Sequence, residues 1–270
     1  MATSANIVAD SIGPSGVRIV TMELIYPRFI HAEFMTHRVF SRNASSSRAI
    51  PVKRMLAQVW SNPAMPIHWG ANQAGMQADE ELQPFRKAAA RFLWKAAGRA
   101  MCVPVWLMSK IGLHKQVANR LLEPWQHIHV VVTATEWENF FALRCHNMAQ
   151  PEIKALADAM KTAQAWSRPV DLKVGEWHLP YVNAVERSRL STDDAIKVSA
   201  ARCCRVSYLN HGGLVSTDTE DFRLYDRLMG AEPPHMSPIE HQAEATVHVW
   251  RYANFISWRS HRYQVEMAKL

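Results

Sequence analysis

No run of about 18 apolar residues occurs in this chain of 270 residues, so nothing in the sequence reads as a membrane span. Met1 to Gly16 lacks the basic region and apolar core of a secretory leader, which sets the expected location in the cytoplasm. Cysteine is scarce. Cys102, Cys145, Cys203 and Cys204 form no CxxC pair, and vicinal cysteines rarely close a disulfide, so all four read as reduced, buried filler. Zinc-finger spacing and Lys/Arg runs are absent, which argues against a nucleic-acid partner. No Cys-His or Ser-His-Asp arrangement offers an enzyme nucleophile. His127 and His129 form a His-x-His pair with no third ligand nearby, so a hydrogen-bonded pair is preferred and no metal is expected.

What the chain does carry is hydrophobic content of 48%, enough for one large α/β domain or two smaller ones. A formal charge of +7 and a pI near 9.4 point to anionic partners, nucleic acid or phosphorylated small molecules. The densest clue is Pro27 to Pro51, which sets His37, Arg38, Arg42 and Arg48 among serines and Asn43. Arginine forks match phosphate oxygens, and hydroxyls with backbone N–H groups fill the remaining acceptors. Pro27 can open a helix on which Ile30, Phe34 and Val39 recur, with His37 and Arg38 at its end and Ser41 to Ser47 as a polar loop. A surface helix followed by a serine linker is the plainer alternative.

Along the chain, Val17 to Tyr26 reads as a strand and Val52 to Trp60 as a short helix. Glu80 to Leu122 reads as two helices parted at Pro104, the first burying a stripe of Phe85, Ala89, Phe92, Leu93, Ala96 and Ala100. His127 to Thr133 is a strand. Thr135 is expected to cap a helix that packs Trp137, Phe140, Phe141 and Leu143, and Pro151 starts another with Ile153, Leu156, Ala157 and Met160 inward. Ser167 to Arg189 reads as a packed connection. Helices follow from Ser191 to Val206 and from Asp218 to Met229, the second with Phe222, Tyr225, Leu228 and Met229 inward and stopped by Gly230. A strand is expected over Glu244 to Tyr252, and a solvent-facing element at Arg259 to Arg262.

Thr36-His37-Arg38, Ser41, Asn43, Ser46 and Arg48 resemble R-H-R-x-x-S-x-N-x-x-S-x-R, the signature of the flavin-dependent thymidylate synthases, the ThyX family. Only its first arginine is missing. Asn139, Leu143-Arg144, Ala149-Gln150 and Glu152-Ile153 resemble the family's second signature, N-x-x-x-L-R followed by A-Q-x-E-I. HKQVANRLLEP places Arg120 on the family's substrate-binding arginine, although such a residue alone reads as a solvated helix-end charge. AARCCRVSY (Ala200 to Tyr208) and HMSPIEH (His235 to His241) resemble segments that ordinarily precede the arginine signature. Here they follow it, so the chain resembles a circularly permuted or divergent member; a tight turn is the plainer reading of HMSPIEH.

The resemblance implies an α/β (α+β) fold, a ThyX-like mixed sheet beside a helical region. It implies one catalytic domain over 1–270, with signature loop 27–51, helical region 80–166 and the family's N-terminal-like segment at 190–252. It implies FAD as cofactor, with methylenetetrahydrofolate and NADPH as co-substrates, and a homotetramer whose sites combine several chains. Ser46 and Arg144 would be catalytic, Arg144 by assisting pyrimidine ionisation. Glu33, Ser45, Ser46, Ser47, Arg48, Arg120 and Arg144 would bind the nucleotide, and His37, Arg38, Asn139, His235, Ser237 and Glu240 the flavin.

The leading reaction is one-carbon transfer to C5 of a deoxypyrimidine monophosphate, dUMP to dTMP. Thr36 departs from the family's arginine, Glu33 from its usual glutamine, Ala44 from a frequent glutamate, and Thr133-Ala134-Thr135 from a flavin-contacting Asn-x-Arg. Flavin phosphate binding would then fall to Arg38, Arg42 or Arg262. A carboxylate at Glu33 can accept from an exocyclic amine, which keeps dCMP open as acceptor, and C5 methylation or hydroxymethylation of dCMP or dUMP for modified-base synthesis is the alternative reaction. A nucleotide- or nucleic-acid-binding protein without catalysis is the rival from another class.

Overall fold

Two β-branched strands form the axis of the molecule. In the computed structural model, which describes residues 3–75, 77–208 and 216–269, β1 (Ser4–Ile12), β2 (Arg18–Pro27), β3 (Ser41–Ala44), β4 (His127–Ala134) and β5 (Val170–Asp171) make a sheet of order β3-β4-β2-β1-β5. All neighbours are antiparallel except β1 and β5. β2 and β4 are buried on both faces, which explains why their hydrophobic runs are nearly continuous.

Val20, Met22, Leu24 and Tyr26 of β2 and Ile128, Val130, Val132 and Ala134 of β4 face one side. There they meet α1 (His31–Met35), α5 (Glu138–Arg144) and α6 (Pro151–Trp166) through Phe34, Phe140, Ile153, Leu156 and Met160. The alternate residues face a second layer. Val131 packs on Cys203 and Val206 of α8 (Thr192–Tyr208), and Ile19 packs on Ala243, Ala245, Phe255 and Trp258. These C-terminal residues belong to a three-stranded sheet of β6 (Trp177–His178), β7 (Ala243–Ala245) and β10 (Trp258–Ser260), with the hairpin β8 (Arg251–Tyr252) and β9 (Phe255–Ile256) beside it.

A helical excursion leaves the sheet between β3 and β4. α2 (Val52–Ser61), α3 (Pro84–Lys110), α4 (Lys115–Ala118) and a 3-10 turn, Asn119–Trp125, share a core of Met55, Val59, Cys102, Val105 and Leu122. α7 (Ala184–Arg189) and α9 (Asp218–Met229) flank α8, each opened by a capping box, Asn183 with Glu186 and Thr217 with Glu220. α10 (His261–Met267) closes the chain, capped by the Ser260 hydroxyl.

Several expectations change. Ser41 to Ala44 is an edge strand rather than loop, because its backbone pairs with β4. α3 runs through Pro104: the lost hydrogen bond is outweighed by packing of the helix on α2 and the 119–125 turn. The stripe expected to be core lies on the outer face of α3, with Phe85 85% exposed and Phe92 70% exposed, while Gly98, Cys102 and Val105 point inward. Gly98 is where Trp125 lies against the helix, closer than a Cβ would allow. Leu143 is exposed, and α9 buries Asp221, Leu224 and Leu228 rather than Phe222, Tyr225 and Met229. Thr135 caps nothing; its hydroxyl accepts from the Ile256 N–H at 3.1 Å. The strand expected over Glu244 to Tyr252 is two strands, β7 and β8, with exposed Val247, Val249 and Trp250 between them. β1 lies in a stretch to which the sequence assigns no element, and β5, β6 and α7 in the one that reads as a packed connection.

Candidate active site

The candidate residues gather at the two ends of β3, whose four residues separate the ends by about 10 Å. At the Ser41 end, α1 terminates at Thr36 and the chain turns through His37, held because Arg42 Nη1 donates to the carbonyls of Phe34 (3.2 Å) and His37 (3.0 Å). The His37 ring rests edge-on against Phe140 and stacks on Phe40, which buries it. Arg144, at the C-terminal end of α5, donates from Nε to His37 Nε2 at 3.0 Å and from Nη2 to Thr36 Oγ1 at 3.3 Å. His37 is therefore neutral with its proton on Nδ1. Burial, reinforced by the charges of Arg144 and Arg42, holds its pKa down to about 4.

The 3-10 turn Ser237–Glu240 packs beside the same end of β3, where Ser41, Glu240, Asn254 and Arg262 line a pocket of about 220 Å³. Glu240 is ion-paired with Arg262, and burial raises its carboxyl pKa against the opposing pull of that guanidinium. Arg262 also bonds Glu266 at 2.7 Å. Two carboxylates thus neutralise this cation, so the expectation that Arg262 holds flavin phosphates is not supported by its surroundings.

At the other end, Ser45 and Ser47 are buried and committed within the chain. Ser45 Oγ accepts from the His129 N–H at 3.1 Å, and Ser47 Oγ donates to Glu123 Oε1 at 2.7 Å. Both were expected to meet the nucleotide; their hydroxyls instead pin the turn. Glu123 also receives Arg28 (3.2 Å) and Arg120 (3.1 Å). Ser46 is left half-buried and Arg48 exposed, projecting from a turn that Asn119 fastens by donating to the carbonyls of Ser47 (2.7 Å) and Ile50 (2.9 Å). Glu123 and Asn119 escaped the sequence reading; the i, i+3 spacing of Glu123 from Arg120 was their one local signal.

Arg38, Asn139, His235 and Ser237 are exposed, and Glu33 keeps one carboxylate oxygen, Oε2, buried without a partner among the described residues. Thr133 and Thr135, which stand where a cationic flavin contact was expected, face the C-terminal segments instead. Thr133 Oγ1 bonds Thr21 at 2.7 Å and His241 Nδ1 at 2.8 Å, and Thr21 bonds His178 Nε2 at 2.8 Å. Arg38, the amide of Asn139 and the hydroxyl of Ser237 are exposed donors, of a chemistry that fits an anionic dinucleotide such as FAD.

The family model described as thymidylate synthase complementing protein, Thy1, matches residues 18–167. That span runs from β2 to the end of α6, more than half the chain. The chain belongs to the thymidylate synthase complementing protein family, the flavin-dependent thymidylate synthase-like methyltransferases. No curated protein sequence matches it. Among solved structures, the UMP/dUMP methylase PolB from Streptomyces cacaoi with 5-Br UMP is 14% identical, covering 60% of this chain and 88% of that one, with a TM-score of 0.49. The same protein with 5-Br dUMP is 20% identical, covering 55% and 67%, with a TM-score of 0.46. Thymidylate Synthase X from Helicobacter pylori with FAD and dUMP is 18% identical, covering 54% and 67%, with a TM-score of 0.37. No described helix is long and apolar enough to cross a membrane.

Proposed function

We propose that the chain transfers a one-carbon unit from methylenetetrahydrofolate to C5 of a deoxypyrimidine monophosphate, dUMP to dTMP being the leading reaction. The observation that carries this reading is the fixed guanidinium of Arg144, oriented by His37 and Thr36 at the mouth of the signature turn. A guanidinium stays charged at any working pH, so it stabilises negative charge developing on the pyrimidine N3 and O2 as C5 becomes nucleophilic. Neutral His37 accepts rather than donates, which keeps Arg144 in place. Ser46, Arg48 and Arg120 hold the nucleotide, and Arg120 must release Glu123 to reach a phosphate.

Arg38, Asn139, His235, Ser237 and Glu240 are the residues that would hold FAD, which when bound carries the reducing equivalents NADPH supplies. The exposure of Arg38, Asn139, His235 and Ser237 favours a site completed by further copies of the chain, in a homotetramer. Packing of Ser237–Glu240 on β3 supports a circular permutation, and one catalytic domain over 1–270 is part of the same proposal.

An absorbance scan from the near ultraviolet to the blue and tritium release from C5-labelled dUMP test this. A yellow protein that releases tritium is expected. A colourless protein whose nucleotide binding weakens steeply with salt and releases none would replace the reading with a binding role. One observation favours a second acceptor: Oε2 of Glu33, without a partner among the described residues, can accept from the exocyclic amine of cytosine. Release from dCMP and not from dUMP, reversed by Glu33→Gln, would select it.

A further inference from the structure

We propose that the outer face of α3 is the surface on which a second copy of this chain docks, with the two helices antiparallel about a two-fold axis near residue 98. This rests on the oligomeric reading above and deepens it. Phe85, Phe92, Leu93, Val103 and Leu107 of α3, with Ile111 at its C-cap, are each at least half exposed and follow one another along one side of the helix. Among the described residues of their own chain, nothing covers them. Side chains of this size bury on the order of 800 Å² per copy when the face is covered, which is what a standard specific interface needs.

The order of sizes along the stripe fits a self-complementary pairing. Ala89, Ala96 and Ala100 lie on the same side, so an antiparallel partner sets Phe85 against Ile111, Ala89 against Leu107, Phe92 and Leu93 against Val103, and Ala96 against Ala100. Inside the outer Phe85 and Ile111 pair, large residues meet small or medium ones, and the alanines at the centre let the helix axes approach. A face built to enter lipid gains nothing from alternating sizes.

Charge decides against the other occupant of such a helix. α3 has basic residues and no acidic one, a composition that also suits an anionic membrane surface. Yet Lys87 is ion-paired with Glu81, the Arg99 guanidinium lies 5.6 Å from the Trp60 ring centroid and donates to the Trp60 carbonyl, and Lys110 lies 5.6 Å from the ring centroid of Trp106. Half of these cations are engaged within the chain. Arg86, Arg91 and Lys95 remain exposed, where a partner's polar rim or water can solvate them.

Light scattering after gel filtration tests the proposal on the full chain. The wild type is expected at a multiple of 30.7 kDa, and Phe92→Glu/Leu107→Glu at no more than half the wild-type mass with unchanged circular dichroism. Ala100→Arg, an exposed helix position that tolerates arginine, is expected to reduce the mass likewise, and Trp166→Glu, on α6, to leave it unchanged. If both α3 variants keep the wild-type mass, the α3 assignment fails while the oligomeric reading stands. A monomeric wild type overturns both, and if that monomer also sediments with phosphatidylglycerol vesicles, the face belongs to a membrane surface.

Discussion

At the scale of single residues, the consequential contact is Arg144 on His37. Replacing Arg144 by alanine removes the cation that His37 and Thr36 orient at the base end of the site, and a loss of about 10²–10³ in kcat is expected, measured under steady state with the thermal midpoint little changed. His37→Phe keeps the ring packing against Phe140 but offers Arg144 no acceptor, so kcat is expected to fall more than KM rises. Protonation of His37 would break the same contact. Because burial and two guanidinium groups hold its pKa near 4 rather than 6.5, the acid limb it contributes to kcat is expected near pH 4. His37, Ser46 and Arg48 could be picked out in the sequence because six signature positions fall in a gapless run, and Arg144 because it ends the N-x-x-x-L-R segment begun by Asn139. Glu123 and Asn119 could not, since their partners Ser47, Arg28 and Ile50 lie 69 or more residues away in all but the Arg120 pair.

Among elements, the junction of α7, α8 and α9 hangs on one buried carboxylate. Asp221 accepts from Arg202 Nε at 2.9 Å and Arg205 Nη2 at 2.6 Å, and Arg202 continues to Glu186 at 2.8 Å. Asp221→Ala leaves two partly buried guanidinium groups short of a counter-charge. A cost of about 3–5 kcal/mol is expected in denaturant unfolding. Asp221 lies one turn before Tyr225, one of the residues read as the inward face of α9, and polarity disguised it: an acidic residue reads as solvated until its partners on another helix are known. α3 shows the opposite error. Its apolar stripe reads as core because periodicity reports which residues share a face, not what covers that face.

For the molecule as a whole, acid is the expected weak point. His178 and His241 are fully buried in the polar chain joining β2, β4 and β6 to the 237–241 segment, and burial pushes both pKa values down to about 3. The unfolded chain takes up these protons near pH 6.5 while the folded one stays neutral, so stability falls as pH drops below about 6.5 and continues to fall toward 3. Each histidine contributes a slope of up to about 1.4 kcal/mol per pH unit in that window. Urea melts from pH 7 to 4 are expected to show this loss, and a flat profile would place both imidazoles in contact with water. The layer that buries them, residues 168–270, lies outside the family match, and it is this layer that gives the sheet a covered second face.

Local order in the chain was enough to establish the family, the strands β2 and β4, the inward face of α6 and the identity of the signature residues. Each of these depends on residue type at short spacing, where backbone periodicity and ligand chemistry act over a few positions. The edge strand β3, the outward stripe of α3, the sequestration of Ser45, Ser47 and Arg262, and the pairing of Arg144 with His37 were decided by tertiary structure. Each depends on which distant groups compete for the same hydrogen bond, charge or apolar surface, and that competition exists only once the chain has folded.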